Sequence, residues 1–238
     1  MSTYQLTNYY TVADVYIDNV AGETSWNNLY ERPYMLSLFD DFSGKNVVDA
    51  GCGTGFYTLH ALRQNATVTA IDASGKMLDH VENEAKSGNL RLLCADLAEG
   101  LPGIQDETQD YIVCSLALHY IENWETLVRD FARVLKPGGK AYISTHHPFT
   151  DYLHLEKENY FSKEFVKDTW GSKKKPYIVH YFSRPLTDII KPFLRPDLKI
   201  INIEEPKPDE RYRKLNEKAF KKLSEKPGFL FLTIQKGK

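Results

Sequence analysis

Short apolar runs alternate along the middle of the chain with segments whose apolar residues recur at helical spacing. Between residues 46 and 145 this pattern predicts five strands, at 46–50, 67–72, 90–94, 111–116 and 140–145. The helices predicted between them cover 56–64, 74–87 and 123–135, and the breaker and turn at 136–139 stops the last one. This alternation predicts a parallel sheet with right-handed crossovers and helices on both faces. Ligands of such sheets bind at the carboxyl ends of the strands, beside the first strand.

The regions that flank this core follow other patterns. The first 45 residues are aromatic and polar, and a helix is predicted at 26–39. Residues 146–184 break the alternation and contain nine aromatic residues and a lysine run at 173–175. Beyond them we predict a helix at 185–194, strands at 198–205 and 229–235, and a charged surface helix at 209–226.

Length and composition favour one domain over residues 1–238. A chain with 42% hydrophobic and 26% charged residues can bury a core of its own, and this length suits one large α/β domain. We divide it into four parts, namely an N-terminal helical cap at 1–45, a ligand-binding core at 46–145, an insertion at 146–184 that forms a lid over the strand ends, and a C-terminal helix and strand pair at 185–238.

Cysteine usage and the N-terminus limit the possible compartments and metal sites. Three cysteines, an odd number, exclude a disulfide scaffold. We expect Cys94 and Cys114 in the core, and a nucleophilic role for Cys52 is disfavoured. No Cys and His spacing matches a zinc site, so no metal is predicted. The N-terminus lacks the features of a signal peptide, and no run approaches about 18 apolar residues. We expect a cytoplasmic protein without a membrane partner.

The net charge of −2 conceals an asymmetry along the chain. Residues 1–150 carry 10 Lys and Arg against 19 Asp and Glu, or −9, and residues 151–238 carry 20 against 13, or +7. A basic half can bind an acidic partner such as nucleic acid, or it can be a solvated surface. The charge alone leaves both interpretations open.

The segment VVDAGCGTG, residues 47–55, carries the main chemical signal. Gly51, Gly53 and Gly55 follow a buried strand and precede a helix, which lets the backbone turn tightly and approach a ligand closely. A dinucleotide fingerprint needs a glycine one position later, where this chain has Phe56, and a P-loop needs a Lys followed by Ser or Thr. The spacing therefore disfavours an NAD-dependent oxidoreductase and any cofactor held by a pyrophosphate.

Three acidic residues lie at or just after the ends of the first three predicted strands. Asp72 is placed to accept hydrogen bonds from both hydroxyls of a ribose, a device that NAD-binding folds also use. Asp96 can accept a hydrogen bond from an adenine amino group. Asp49 can orient the backbone amides of the loop or attract a cationic group of a ligand.

Five segments in this order resemble the class I S-adenosylmethionine-dependent methyltransferases, in particular their small-molecule type 11 group. The segments, which span 46–145, are VVDAGCGTG, AIDAS, LLCADLAEGLP, DYIVCSLALHYI and LKPGGKAYIST. The resemblance implies a Rossmann-like sheet of seven strands in the order 3-2-1-4-5-7-6 with the last strand antiparallel, which agrees with the predicted strands. It implies S-adenosyl-L-methionine as the cofactor and S-adenosyl-L-homocysteine as its product.

The resemblance also implies roles for individual positions. The glycine loop would pack on the methionine part of the cofactor, and the ends of the second and third strands would bind its ribose and adenine. Strand four would end at the methyl-transfer pocket, which Leu116 would line and an N-terminal tyrosine would cap. The implied cofactor-binding residues are Asp49, Gly51, Gly53, Gly55, Asp72, Ala73, Met77, Asp96, Leu97, Ser115 and Tyr16.

Methyl transfer from a sulfonium is an in-line displacement, so the protein mainly holds donor and acceptor in line and excludes water. A general base is needed only if the acceptor must lose a proton. His119, His146 and His147 follow strands four and five and are the candidate bases, with His119 and His146 put forward as catalytic. The alternative for His119 is packing or capping of a helix, and the alternative for His146 and His147 is a turn before Pro148. The candidate substrate-binding residues are Tyr10, His119, His147, Tyr181 and Arg184, with Tyr30 and Arg32 as further candidates at the pocket mouth.

These observations predict a methyltransferase that acts on a small molecule, as a monomer or homodimer. The alternatives are methylation of RNA, DNA or protein, motivated by the basic half, and a non-catalytic regulator that binds S-adenosylmethionine. Nucleic acid is disfavoured because acids are interleaved with the C-terminal lysines and no recognition module follows. DNA amino-methylating relatives carry a polar residue followed by Pro-Pro-aromatic after strand four, whereas residues 115–118 here are SLAL.

Overall fold

The core strands form at the positions that the sequence pattern predicts. The computed structural model describes residues 26–172 and 175–238. Its first five strands are β1 (Asn46–Ala50), β2 (Thr67–Asp72), β3 (Leu90–Cys94), β4 (Gln109–Ser115) and β5 (Leu135–His146). A turn of π-helix (Asn27–Glu31) precedes the helices α1 (Arg32–Leu38), α2 (Phe56–Arg63), α3 (Gly75–Ala85) and α4 (Glu125–Val134). Ser74 caps α3 by accepting a hydrogen bond from the amide of Met77, as its position before the helix predicts.

Seven strands form one mixed sheet. The last two are β8 (Leu198–Glu204) and β9 (Phe229–Lys236), and the order is β3-β2-β1-β4-β5-β9-β8. Strands β1 to β5 pair in parallel, while β9 runs antiparallel to both β5 and β8. This confirms the predicted order and the antiparallel last strand.

Two hydrophobic clusters cover the two faces of the sheet. One contains the apolar side of α4 with Trp124 and Phe193, and the other contains Tyr57 of α2 with aromatic side chains from the N- and C-terminal regions. Strands β1 and β9 are therefore apolar on both faces, as central strands must be when helices cover both sides.

The insertion between β5 and β8 contains a helix and a hairpin. Helix α5 (Pro148–His154) follows β5, and β6 (Glu164–Ser172) pairs antiparallel with β7 (Lys175–Ser183) as a separate two-stranded sheet. Val166 lies opposite Tyr181 on the face whose side chains are buried. The sequence pattern predicts an insertion here but does not predict the hairpin.

Three predicted boundaries are wrong. The breaker at 136–139 does not separate α4 from β5, because β5 begins at Leu135 and takes up these residues as a bulge opposite Gln109 and Tyr111. The helix predicted at 185–194 is only α6 (Leu186–Ile190), followed by a 3-10 turn (Lys191–Phe193). The helix predicted at 209–226 is two, α7 (Glu210–Leu215) and α8 (Glu217–Glu225), because extended backbone at Asn216 interrupts it.

Within the described ranges, the helices are too short or too polar to cross a lipid bilayer.

Candidate cofactor and acceptor site

The glycine loop between β1 and α2 is folded against β2. The amides of Gly51 and Cys52 both donate to the carbonyl of Ile71, at 2.8 and 2.9 Å. Gly51, Gly53 and Gly55 all have positive φ. A Cβ on Gly51 would lie 2.5 Å from that of Ala117, whereas a Cβ on Gly53 would meet no atom within 4 Å. Gly51 thus permits close packing, while Gly53 borders open space at the carboxyl ends of the strands.

Asp72 fixes this loop and keeps acceptor capacity. Its Oδ2 accepts from the Gly53 amide and its Oδ1 from the Ser74 amide, both at 2.9 Å. Burial raises the pKa of Asp72, and backbone hydrogen bonds from Ser74, Gly53 and Ala73 oppose that rise. Each carboxylate oxygen accepts more than one hydrogen bond. Both oxygens can therefore still accept from the hydroxyls of a ribose.

Asp96 begins a short 3-10 turn (Leu97–Glu99) after β3. Its Oδ1 accepts from the Ala98 amide at 2.9 Å, while its Oδ2 is buried and has no hydrogen-bond partner. A buried carboxylate oxygen without a donor is costly unless a ligand supplies one. The open space at Gly53, the capacity of Asp72 and this free oxygen fit a nucleoside with a methionine-like tail.

Apolar side chains lie beside Asp72 and Asp96. Met77 of α3 and Leu97 are buried, and Ala73 is half-buried between Asp72 and the cap of α3. A Cβ on Gly51 would also approach Leu97 Cδ1, at 3.4 Å. The residues predicted for the adenine therefore lie together around the loop and the ends of β2 and β3.

Asp49 at the end of β1 is buried and bonded to α2. Its Oδ2 accepts from Thr58 Oγ1 at 2.6 Å. Burial raises the pKa of Asp49 to about 7, hydrogen bonds from Thr58 oppose the rise, and the carboxylates of Asp72 and Glu31 add to it. Asp49 thus ties β1 to α2 beside the glycine loop.

Glu31 is a buried carboxylate that the sequence analysis missed. Its Oε1 accepts from Ser115 Oγ at 2.8 Å and from Ser144 Oγ at 2.7 Å, and its Oε2 accepts from Tyr57 at 2.7 Å. Burial raises the pKa of Glu31, and these three hydroxyls oppose the rise. Ser115, predicted to contact the cofactor, is thus engaged with the N-terminal helical region. A single Glu in a helix carries no sequence signal for such a network.

Leu116 is held in an unusual conformation where β4 ends. Its φ is +49°, in the left-handed region that a Leu rarely adopts. Its amide donates to the carbonyl of Ser144 at 3.0 Å. Strain of this kind persists where the surrounding structure imposes it, which happens most often at functional sites.

His119 and His146 meet at the ends of β4 and β5. Their rings stack with centroids 3.9 Å apart. His119 is 2% exposed, and neither of its ring nitrogens has a partner. Burial, with the nearby His146 and Arg184, holds the pKa of His119 well below its usual range. The imidazole is therefore neutral at pH 7 and offers one N–H and one lone pair. The Nδ1 of His146 lies 3.6 Å from Asp151 Oδ1.

The buried face of the hairpin covers these histidines. Tyr181 is 1% exposed, and its ring meets that of His146 edge-on at 5.0 Å. The Trp170 ring lies 5.2 Å from His146, and its indole donates to Asp168 at 2.8 Å. Arg184 follows the hairpin and is also buried. Two of the predicted substrate-binding residues, Tyr181 and Arg184, thus lie with the histidine pair.

His147 has a different position. Its Nδ1 accepts from the Phe149 amide at 3.2 Å, which caps α5, and its Nε2 lies 2.5 Å from Glu205 Oε1. Both nitrogens are engaged within the protein. The geometry therefore matches the turn alternative and does not leave a ring nitrogen for a substrate.

Some predicted positions differ from the structure or fall outside it. Tyr10 and Tyr16 lie outside the described residues. Tyr30 does not line a pocket mouth, because it is 1% exposed and donates to the carbonyl of Pro206. Arg32 lies over the Phe56 ring at 4.1 Å. Cys94 is exposed and not in the core, because β3 is the edge of the sheet, whereas Cys52 and Cys114 are buried.

Comparison with known proteins finds methyltransferases that resemble this chain in sequence or in fold. A family profile described as a methyltransferase domain matches residues 48–143. An uncharacterised protein of Haemophilus influenzae is 30% identical over 99% of this chain and 97% of its own length. A ubiquinone biosynthesis O-methyltransferase of Coxiella burnetii is 31% identical, over 47% of this chain and 48% of that protein. The structure of an S-adenosylmethionine-dependent methyltransferase from Mesorhizobium loti superposes with a TM-score of 0.70 at 22% identity, covering 89% of this chain and 100% of that one.

Proposed function

Because the chain belongs to the class I S-adenosylmethionine-dependent methyltransferase family, we propose that it transfers a methyl group from S-adenosylmethionine to a small-molecule acceptor. The observation that carries the proposal is the cradle at the ends of β1, β2 and β3. There Gly53 borders open space, Asp72 keeps free acceptor capacity and Asp96 has a buried oxygen without a donor.

Different residues of the cradle contact different parts of the cofactor in this proposal. Gly51, Gly53 and Gly55 accommodate the methionine part, with Asp49 behind the loop. Asp72 accepts from the ribose hydroxyls, Asp96 accepts from the adenine amino group, and Ala73, Met77 and Leu97 pack on the base. When bound, S-adenosylmethionine supplies a methyl group on a sulfonium, which is already an activated leaving group. The chain's own residues need only hold the acceptor in line and exclude water.

The acceptor lies, in this proposal, between the ends of β4 and β5 and the hairpin, which acts as a lid. His119 and His146 are the groups there that can exchange a proton with the acceptor. The low pKa of His119, set by burial, makes it a weak base. His119 therefore orients the acceptor through a hydrogen bond, and His146 is the candidate base where the acceptor must lose a proton.

A small acceptor suits the enclosure of this region. The histidine pair is covered by Tyr181 and Trp170, and a nucleic acid or a protein would have to insert a flipped base or a side chain into this enclosed space. The Coxiella burnetii relative, named a ubiquinone biosynthesis O-methyltransferase, also acts on a small molecule by its name. Acids are interleaved with the lysines of the C-terminal part, which weakens the case for a nucleic-acid partner.

The test supplies the purified protein with methyl-labelled S-adenosylmethionine and a metabolite extract, and in parallel with RNA and with protein. We expect label in the small-molecule fraction alone. The Asp72→Ala variant, which should bind S-adenosylmethionine weakly, serves as the negative control. Label in RNA or protein instead would contradict the small-molecule assignment. Binding of RNA that weakens steeply with salt would favour the same alternative.

A second function has one observation in its favour. The space between His119 and Arg184 is a cavity of about 10 Å³, enough for about one water. A space this small beside the histidine pair, if it does not widen for an acceptor, is what a regulator that binds the cofactor without catalysis would have. Cofactor binding without any methyl transfer in the same assay would support that function.

A further inference from the structure

Arg184 is a buried cation that has no counter-ion within the described part of the chain. It is 6% exposed, and its Nη2 donates to the carbonyl of Ile121 at 2.6 Å. Its Nε is buried and has no hydrogen-bond partner. Among the residues that the structure describes, no carboxylate oxygen lies within 4 Å of its guanidinium. A buried charge left unpaired is costly, so this arrangement calls for a partner that none of the described residues supplies.

Packing fixes the guanidinium in place. Arg184 lies over the Trp124 ring at 4.4 Å from the centroid. The Trp124 indole donates to the carbonyls of Leu118 and Ile121, at 2.8 and 3.1 Å. The same Ile121 carbonyl accepts from Arg184. These contacts fix the orientation of the guanidinium. The direction of its Nε–H, which has no partner among the described residues, is therefore fixed as well.

A second unpartnered group borders the same cavity. Arg184 and His119 both line it, with Thr145, His146 and Asp151 on the other walls. Both ring nitrogens of His119 lack a partner. Because burial keeps the pKa of His119 low, the ring is neutral and has one N–H to donate. Two buried donors, one of them charged, therefore share one small space.

The acidic residues near Arg184 act on it only through space. Asp188, Glu122 and Asp151 favour its charged form, and burial, the larger effect, lowers the pKa of Arg184 to about 10. The guanidinium stays protonated at pH 7. Asp151 also lies 3.6 Å from His146. The cavity is thus lined by a positively charged donor, Arg184, a neutral donor, His119, and one carboxylate, that of Asp151.

We propose that Arg184 and His119 bind a carboxylate group of the methyl acceptor, so that the substrate of this enzyme is a small organic acid. This rests on the proposed function, which it makes more specific. A carboxylate is planar, takes charge-assisted hydrogen bonds from a guanidinium and needs little room. A phosphate is larger and carries nearly two charges at neutral pH, which Asp151 would repel. The cavity must widen to admit either anion, and the smaller, singly charged carboxylate needs less widening beside Asp151 than a phosphate does.

Titrations followed by NMR test this with defined probes. Acetate, its neutral counterpart acetamide, and inorganic phosphate are each added at constant ionic strength to the protein loaded with S-adenosylhomocysteine. The Arg184 Nε–H and His119 ring resonances report occupancy directly. We expect acetate to shift both saturably, with an affinity at least about 10-fold higher than that of acetamide and above that of phosphate. Equal binding of acetamide, or tighter binding of phosphate, would overturn the assignment.

Variants of Arg184 test whether acetate binds at this residue. Arg184→Gln should abolish the acetate-dependent shift of His119, whereas Arg195→Gln, at an exposed arginine paired with Asp197, should leave it unchanged. If Arg184→Gln does not fold, Arg184→Lys should weaken acetate by about 10-fold or more because it lacks the free Nε donor. Unchanged acetate affinity in either Arg184 variant contradicts the site.

The cofactor titration separates the two proposals. Failure of the wild-type protein to bind S-adenosylhomocysteine overturns the proposed function, whatever acetate does. Normal binding of S-adenosylhomocysteine without a preference for acetate overturns the carboxylate site alone.

Discussion

Gly53 is the residue at which a side chain would test the site with least disturbance to the fold. Its Cβ direction is open and its φ is +50°, a conformation that Asn tolerates better than other residues. We expect Gly53→Asn to weaken S-adenosylhomocysteine binding by at least about 10-fold, measured by calorimetric titration. Gly44 also has positive φ and an open Cβ direction but lies outside the site. Gly44→Asn should keep wild-type affinity, and equal losses in both variants would count against the cradle.

Asp49 makes stability depend on pH in a specific direction. Burial raises its pKa from 3.8 to about 7 in the folded protein. Between these values the folded state binds more protons than the unfolded state, so stability falls as the pH rises from about 4 to about 7. The shift corresponds to at most about 4 kcal/mol. Asp49→Asn removes this ionisation and keeps an oxygen for Thr58.

Urea unfolding of wild type and Asp49→Asn across this pH range measures the effect. The difference in unfolding free energy between the two proteins should change in favour of the variant as the pH rises to 7. A difference that stays constant with pH would contradict the buried, titrating carboxyl.

The N-terminal helical region is attached to the site through Glu31, which bridges α2, β4 and β5. Glu31→Gln replaces one acceptor oxygen by a donor and leaves a buried hydroxyl without its acceptor. We expect the free energy of unfolding to fall by about 1–3 kcal/mol. Glu82→Gln, at an exposed position in α3, should change it by less than about 0.5 kcal/mol. A loss no greater than that of Glu82→Gln would mean that the carboxylate network contributes nothing.

The hairpin β6–β7 is stable only through the face that it packs on the body of the protein, since a two-stranded sheet alone is marginal. Tyr181 lies on that face, and Phe165 lies on the opposite face at 48% exposure. We expect Tyr181→Ala to speed amide hydrogen exchange across the hairpin, while exchange in the large sheet and affinity for S-adenosylhomocysteine stay unchanged. Phe165→Ala should have little effect. Equal effects of both changes would contradict one-sided packing.

The elements differ in how well the sequence predicts them, for physical reasons. Strands β1, β2 and β3 form where predicted because their apolar runs and flanking turns are local signals. The hairpin is missed although its side chains alternate between faces from Val166 to Trp170, because aromatic residues on both faces obscure that period. The bulge at 136–139 is missed because pairing with β4, a tertiary contact, overrides the Pro-Gly-Gly turn signal.

The sequence also predicts some parts of the candidate site and misses others. The glycine loop, Asp72 and Asp96 come from spacing that the fold itself requires. Glu31 and the stacking of His119 on His146 depend on contacts between segments far apart in the chain, which no local pattern encodes.

In the whole folded molecule, the contrast between the acidic first part of the chain and its basic last part is weaker evidence for a nucleic-acid partner. Lys236 pairs with Glu107 at 2.9 Å and Lys163 with Glu122 at 3.7 Å, so the basic part neutralises acids of the first half. Other cations pair within the C-terminal part, as Arg211 does with Asp209. Such pairs are worth little stability when exposed, but each places an acid beside a cation and so interrupts a continuous basic surface. The solvated surface is the interpretation that the structure favours.

We propose that S-adenosylmethionine binds at the ends of β1, β2 and β3, with its ribose on Asp72. Calorimetric titration of S-adenosylmethionine into the wild-type protein, Asp72→Ala and Asp79→Ala tests it most directly, since Asp79 is an exposed acid on the neighbouring helix α3. We predict binding of one molecule to the wild-type and Asp79→Ala proteins, and affinity reduced about 100-fold in folded Asp72→Ala. No binding to the wild-type protein, or equal affinity in all three, would contradict the claim.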